Sequence, residues 1–291
     1  MRSIDMDLLR RILQLLPDKL YLQMLYFKHF HRLIDFKNPV SFNEKIQWLK
    51  IHDRNPLYTT IVDKLKMKEY LIEVLGKDYT VPTLAVWDSP EEIDFDALPN
   101  QFVLKWNHDS GSIVICKDKS TFDVNKALKK LQHGAKYNGF WYGREWPYKD
   151  VPPKVFAEPY MEDEETRELR DYKLFAFNGE VKLLLVASDR QTPGEDTKFD
   201  FFDMDLNHLD IVNQHANAPV TPNPPKSFSL MKHLAERISK GFIHLRVDFY
   251  EVNGRVYIGE LTLYHGSGLM SFSPNHWYKT LGDWINLPSD L

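Results

Sequence analysis

Arg246, Asp248, Glu260 and Thr262 stand in two alternating stretches joined by Asn253-Gly254, a combination able to hold a charged oxygen ligand. Alternation puts Arg246 and Asp248 on one strand face and Val247 and Phe249 on the other, against a core. Glu260 and Thr262 share a face of the second strand. Two buried carboxylates side by side repel, and one takes up a proton unless a cation intervenes. Mg2+ prefers oxygen ligands and is often shared between carboxylates and substrate phosphates. An Arg246–Glu260 ion pair is the other use of the same residues. Register separates the cases. A two-residue Asn253-Gly254 loop sets Asp248 opposite Gly259, with Asp248 and Glu260 on opposite faces. A three-residue loop, Val252-Asn253-Gly254, sets Arg246 opposite Glu260 and Asp248 diagonally beside it. The three-residue loop with a bulge is therefore expected.

A cationic group lies upstream. Lys105 closes the strand-like FVLK and leads into Asn107-His108-Asp109-Ser110-Gly111-Ser112. Such a turn suits a triphosphate, with N–H groups and hydroxyls on the oxygens and an ammonium neutralising charge. It is not a Walker loop, and alone it reads more plainly as a polar turn. Asp63-Lys64-Leu65-Lys66-Met67-Lys68 is a helical charge run, ordinarily a solvated face. Asp203-Met204-Asp205 matches the Asp-x-Asp pattern of a metal and sugar-diphosphate site, which makes a glycosyltransferase the alternative reading. A binding protein for polysaccharide, using aromatics between 137 and 148, is a third.

These residues need a scaffold. The 291 residues, 43% hydrophobic and 27% charged, are globular in composition. A formal charge of -4 disfavours nucleic acid as a partner. The single cysteine, Cys116, cannot form an internal disulfide, so a reducing compartment is the simplest reading. The apolar stretch 8–36 is cut by Arg10, Arg11, Asp18, Lys19, Lys28 and Arg32, too often for a membrane span. Asp5 and Asp7 argue against a signal peptide, which leaves a cytoplasmic protein as the default. An amphipathic N-terminal helix is compatible with membrane contact, though packing on its own domain is the plainer reading.

Helices are expected over 8–16, 20–34 and 62–75, and after a Ser41–Glu44 capping box. Another spans 121–133, capped by Ser120, and a last one 229–240. Strands are expected over 81–86, 101–106, 112–117, 154–160, 171–177, 180–188, 243–250 and 255–263. The irregular stretches 137–153 and 213–226 read as lids or as plain connections.

The order of these features resembles the ATP-grasp superfamily. The carriers are Asp63-Lys64 with Lys68, FVLK with its Ser/Gly loop, Glu158-Pro159-Tyr160, and RVDF followed by GEL. The last hairpin is similar to that of D-alanine–D-alanine ligases. The segments from 39 to 268 together resemble the branch of teichuronopeptide and capsular polysaccharide biosynthesis. The resemblance implies an α+β fold with two lobes clasping nucleotide between antiparallel sheets. A helical N-terminal extension (1–60) would precede a first lobe (61–157) and a second lobe (158–291). It implies ATP and Mg2+ as cofactors. Lys68 and Lys105 would bind phosphates, with His108, Ser110, Gly111 and Ser112 folding over them. Glu158, Pro159, Tyr160 and Met161 would be the hinge reading adenine, and Asp248, Glu260 and Thr262 would hold metal. Arg246, Lys105 and Lys173 would be catalytic, with Arg190 near the nucleotide or acyl group.

The implied activity is carboxylate–amine ligation through an acylphosphate, on a uronic or amino acid of a surface-polysaccharide precursor. Two positions depart from the branch. Asp109 stands where glycine is usual, so its carboxylate is expected to turn outward or meet the metal. Thr262 replaces asparagine and is a weaker ligand. His265, Gly266 and Ser267 directly follow the hairpin, where His265 either touches the acceptor or bonds the backbone.

Overall fold

The computed structural model describes residues 14–109, 111–136, 138–190 and 194–288. Helix α1 (Asp18–Phe30) follows Pro17 and ends at left-handed His31, whose N–H donates to the Phe27 carbonyl. Helix α2 (Phe42–His52) opens on the expected capping box, with Ser41 and Glu44 each accepting the other's backbone N–H. A short helix outside the expectation, α3 (Leu57–Val62), precedes the one expected over 62–75, which forms as α4 (Lys64–Leu75). Asp63 leaves the helical conformation between them, and its carboxylate accepts from the Leu65 and Lys66 N–H groups. Asp123, not Ser120, caps α5 (Val124–Gly134) by accepting from Lys126. Helix α6 (Gly139–Gly143) interrupts the first irregular stretch.

Two antiparallel sheets carry the α+β architecture. The smaller has the order β1-β4-β2-β3, from β1 (Ala85–Trp87), β2 (Phe102–Trp106), β3 (Val114–Cys116) and β4 (Val155–Pro159). Phe102, Leu104 and Trp106 of β2 enter a core shared with Leu131 of α5, which leaves Val103 and Lys105 on the other face. The larger sheet contains β5 (Asp171–Phe177), β6 (Glu180–Ser188), β7 (Lys198–Phe202), β8 (His208–Leu209), β10 (His244–Val252) and β11 (Arg255–Thr262). Its order is β11-β10-β5-β6-β7-β8. Between them in sequence, β9 (Val212–Asn213) pairs with β12 (Phe272–Ser273) in a separate ribbon.

Helix α7 (Phe228–Ser239) covers one face of the large sheet, and α8 (His276–Asp283) packs on α2. Tyr26, Ile46 and Ile61 from α1–α3 share one continuous core with Leu174 and Val247 of the large sheet. Burying one such side chain contributes roughly 1.5–3 kcal/mol. The N-terminal helices thus belong to the large sheet's core, while the small sheet has a core of its own.

The β10–β11 hairpin departs from expectation in an informative way. Val252 pairs with Arg255, so the loop is the two-residue Asn253-Gly254, both at positive φ. That loop alone would turn Asp248 and Glu260 to opposite faces. The ladder instead shifts: Phe249 pairs with Ile258 and Asp248 with Glu260, leaving Gly259 as a bulge. The extra residue restores the shared face, with Arg246 now opposite Thr262 rather than Glu260. A Cβ at Gly259 would lie 2.5 Å from the Tyr250 ring. We expect Gly259→Ala to cost about 1–3 kcal/mol in urea unfolding, as overpacking does. Tyr250→Leu in the same chain should recover part of the loss. An unchanged midpoint in the single variant would refute the crowding.

Candidate active site

A cleft of about 560 Å³ is lined by residues of both sheets. On the large sheet, Glu260 (β11), Asp248 (β10), Lys173 (β5) and Leu185 (β6) are successive cross-strand neighbours and all line it. The adjoining rung brings Thr262, Arg246 and Phe175 together. Asp248 is 2% exposed. The Arg246 guanidinium grips its carboxylate with two bonds, of 2.6 and 2.8 Å, and the Lys173 ammonium also donates to it. Burial alone would raise the Asp248 carboxyl, but Arg246 and Lys173 outweigh it and hold it far below the carboxylate range. Burial also works to raise Glu260, and Lys64 of α4, 3.3 Å away, brings it below its ordinary value. Arg246 and Glu260, the alternative ion pair, stand 4.0 Å apart. Arg190 pairs with Asp171 at the cleft.

Two cross-strand carboxylates on a cleft wall are hard oxygen donors of the kind a magnesium ion takes. Thr262 also lines the cleft, but its hydroxyl accepts from Arg246 Nη2 at 3.0 Å. No group of three or more His, Cys, Asp or Glu side chains converges among the described residues. A magnesium ion here would therefore complete its shell with water and substrate phosphate, as it commonly does.

On the small sheet, strand alternation points Lys105 at the cleft, where it meets Glu158 Oε2 at 2.6 Å. Lys68 of α4 meets the other Glu158 oxygen at 2.6 Å and donates to Thr83. Lys68 lines a neighbouring groove rather than the cleft, so the carboxylate of Glu158 links the two lysines. Burial would raise the Glu158 carboxyl, and Lys105 and Lys68 together hold it below its ordinary value. None of the cleft-lining residues comes from Glu158, Pro159, Tyr160 or Met161. The Tyr160 hydroxyl donates to Glu162 at 2.7 Å.

His108 and Asp109 line the cleft. Asp109 does not turn outward but back onto its own loop. Its carboxylate accepts from the N–H groups of Gly111 (2.8 Å) and Ser112 (3.0 Å), the donors expected for phosphate. Its backbone carbonyl accepts from Lys64 Nζ at 2.8 Å. Ser110 lies outside the described residues.

Several cleft residues escaped the sequence reading. Lys64 sits in a charge run that reads as solvated, yet its ammonium reaches both Glu260 and the Asp109 loop. Glu145 and Tyr148, from the first irregular stretch, and Gln214 and His215, from the second, also line the cleft. His265, Gly266 and Ser267, singled out from the sequence because they follow the hairpin, line the cleft too, the latter two in a left-handed run with Gly268 at φ 53, 56 and 65°. Left-handed backbone is costly for serine and persists only where surroundings fix it. Lys50 supplies the clamp. Fully buried, it donates to the Gly143 carbonyl and to the Ser267 carbonyl and hydroxyl, and burial lowers its pKa to about 8. The Asp203 carboxylate accepts from Asp205, Asn207 and the Asn207 amide within a hairpin turn, and it does not line the cleft.

A model of the TupA-like ATP-grasp family matches residues 44–286. No curated protein matches the chain. Among solved structures the chain is similar to D-alanine–D-alanine ligase from Bacillus anthracis complexed with ATP. That match has 14% identity and a TM-score of 0.40, over 70% of this chain and 54% of that one. The corresponding ligase from Helicobacter pylori matches with 14% identity and a TM-score of 0.43, over 84% and 69%. A RimK domain ATP-grasp protein from Sphaerobacter thermophilus matches with 12% identity and a TM-score of 0.42, over 80% and 70%. The chain spans just over half the length of the first of these.

Glu158 gives the site a pH signature. Its carboxyl lies below the ordinary 4.5, so the folded state binds fewer protons there than the unfolded chain. That contribution is full above the ordinary value and is lost as pH falls through the depressed one. Wild-type stability should therefore drop as pH falls below the ordinary 4.5. Glu158→Gln, less stable at neutral pH, should show a shallower acid limb in urea titrations. Parallel limbs would contradict the assignment.

Proposed function

The chain belongs to the TupA-like ATP-grasp family, and from that premise we propose that it is a carbon–nitrogen ligase using ATP to join a carboxylate to an amine. One observation carries the reading: the Glu260–Asp248–Lys173 row with Arg246 shares a single cleft with Lys105 and the His108–Asp109 loop. Acidic and basic groups from distant parts of the chain border one space, as a metal–triphosphate substrate requires.

The roles follow from charge and position. Lys105 neutralises the triphosphate and exchanges Glu158 for it, and Lys68 follows through the same carboxylate. The loop from His108 to Ser112 would cover the phosphates once its Gly111 and Ser112 N–H groups exchange the Asp109 carboxylate for them. Backbone groups of 158–161, outside the cleft lining, would read an adenine edge that extends beyond it. Asp248 and Glu260 would hold Mg2+, with Thr262 joining them only if its hydroxyl is shared with Arg246, and the ion would supply positive charge to the phosphate oxygens. Arg246 braces the transferred phosphoryl group, and Lys173 keeps the acceptor carboxylate beside it. The acceptor oxygen bonds to the γ-phosphorus as the bond to ADP breaks, giving an acylphosphate. The amine then attacks the acyl carbon and loses a proton, and phosphate leaves. The protein contributes positioning and charge rather than a covalent nucleophile.

The branch resemblance makes the acceptor a uronic or amino acid carboxylate on a surface-polysaccharide precursor, and the nucleophile a small amine. ATP places the reaction in the cytoplasm, peripheral to the membrane if the precursor is lipid-linked. No helix among the described residues is long and apolar enough to cross a bilayer. The glycosyltransferase reading loses its support, since Asp203 is engaged by its own turn.

The test is ADP release with panels of uronic acids, amino acids and amines. We expect ATP-dependent turnover with at least one pair, and a loss of about a hundredfold or more in Glu260→Gln. Turnover equal to wild type in that variant would remove Glu260 from the machinery. Failure of the protein to bind ATP would end the ligase reading.

A further inference from the structure

Arg246 presents five N–H groups, and a guanidinium can only donate. Nε and Nη2 serve Asp248, Nη2 also serves Thr262, and Nη1 meets His265 Nδ1 at 2.7 Å. These four bonds leave one N–H, on Nη1, in a side chain that lines the cleft.

The contact with His265 has a defined direction. Because Arg246 donates, Nδ1 of His265 must accept, and a neutral ring then carries its proton on Nε2. Nε2 lies 3.1 Å from Asn213 Oδ1. Asn213 Nδ2 in turn donates to the Ser271 carbonyl at 2.9 Å. One end of this chain can only donate and the other can only accept. Both intermediate groups therefore have a single consistent orientation, and His265 stays neutral. Burial, with the Arg246 charge beside it, also holds the His265 imidazole well below its ordinary value. His265 is 4% exposed and Asn213 fully buried, so water does not compete. The Phe175 ring stands edge-on to the imidazole, with centroids 5.0 Å apart.

We propose that His265 and Asn213 are positioning residues for Arg246: a one-way hydrogen-bond chain from the β9–β12 ribbon fixes the Nη1 end of the guanidinium, so that its remaining N–H meets the transferred phosphoryl group. This deepens the ligase reading and rests on the role given there to Arg246. It also explains why the ribbon, which pairs with neither large-sheet edge, lies where it does, since it anchors the chain that orients the arginine.

The test compares binding of Mg-ADP with binding of Mg-ADP plus aluminium fluoride, a mimic of the phosphoryl group in flight, by calorimetry on the full chain. The acceptor need not be known. His265→Asn keeps an acceptor near the Nδ1 position, whereas His265→Gln reaches toward Asn213 and loses it. Asn213→Leu removes the anchor. We expect Mg-ADP affinity within about twofold of wild type in all three, because His265 and Asn213 hold only the Nη1 end of Arg246 and its bonds to Asp248 remain. The gain from aluminium fluoride should fall about tenfold or more in His265→Gln and Asn213→Leu, and stay within about threefold in His265→Asn. Equal losses in all three, or no loss in Asn213→Leu, would overturn the chain. Arg246→Met is the control. If it keeps the full gain, the reading of Arg246 itself fails. If it loses the gain while Asn213→Leu keeps it, only the positioning proposal fails.

Discussion

Two carboxylates directly opposite each other on adjacent strands are the constraint around which the cleft is organised. Asp248 and Glu260 occupy one rung of the β10–β11 ladder, in surroundings where uncompensated like charges are costly. Compensation arrives from three directions. Lys173 comes from the next strand, Arg246 from the next rung and Lys64 from helix α4. Each cation is held partly by the acids it neutralises, so the sheet and the helix are fastened at the point where chemistry is proposed. Asp248 stays ionised although buried, and Glu260 although half-buried, because their partners outweigh desolvation.

The small sheet repeats the device with signs reversed. There one acid, Glu158, serves two lysines on different elements. In both places the protein stores separated charge in neutralised form beside a cavity. An incoming polyanion or cation exchanges partners there rather than creating new burial of charge, and this limits the desolvation cost of binding.

Much of this was readable from residue types. Strand alternation gave the faces of Arg246, Asp248, Glu260 and Lys105, because a period of two needs no knowledge of neighbours. The Ser41–Glu44 box is local chemistry, and it formed as expected. What stayed hidden was decided by distant contacts. Lys64 and Lys50 look like surface lysines, and only folding brings Glu260, Gly143 and Ser267 to their ammonium groups. Asp109 could be flagged as an odd charge in a loop, but its choice of the loop's own N–H groups depends on a turn geometry that sequence leaves open. Strands as short as β8, β9 and β12 carry no periodicity to detect.

The bulge at Gly259 also ties the hairpin's two ends together. Facing along a strand is a matter of odd and even count, and the tight Asn253-Gly254 reversal alone has the wrong parity for the acidic rung. One unpaired glycine corrects it. A lineage that lengthened the reversal by one residue would have to delete the bulge in step, or send Glu260 into the hydrocarbon interior. Loop length and bulge are thus a single inherited trait, although four residues lie between Gly254 and Gly259.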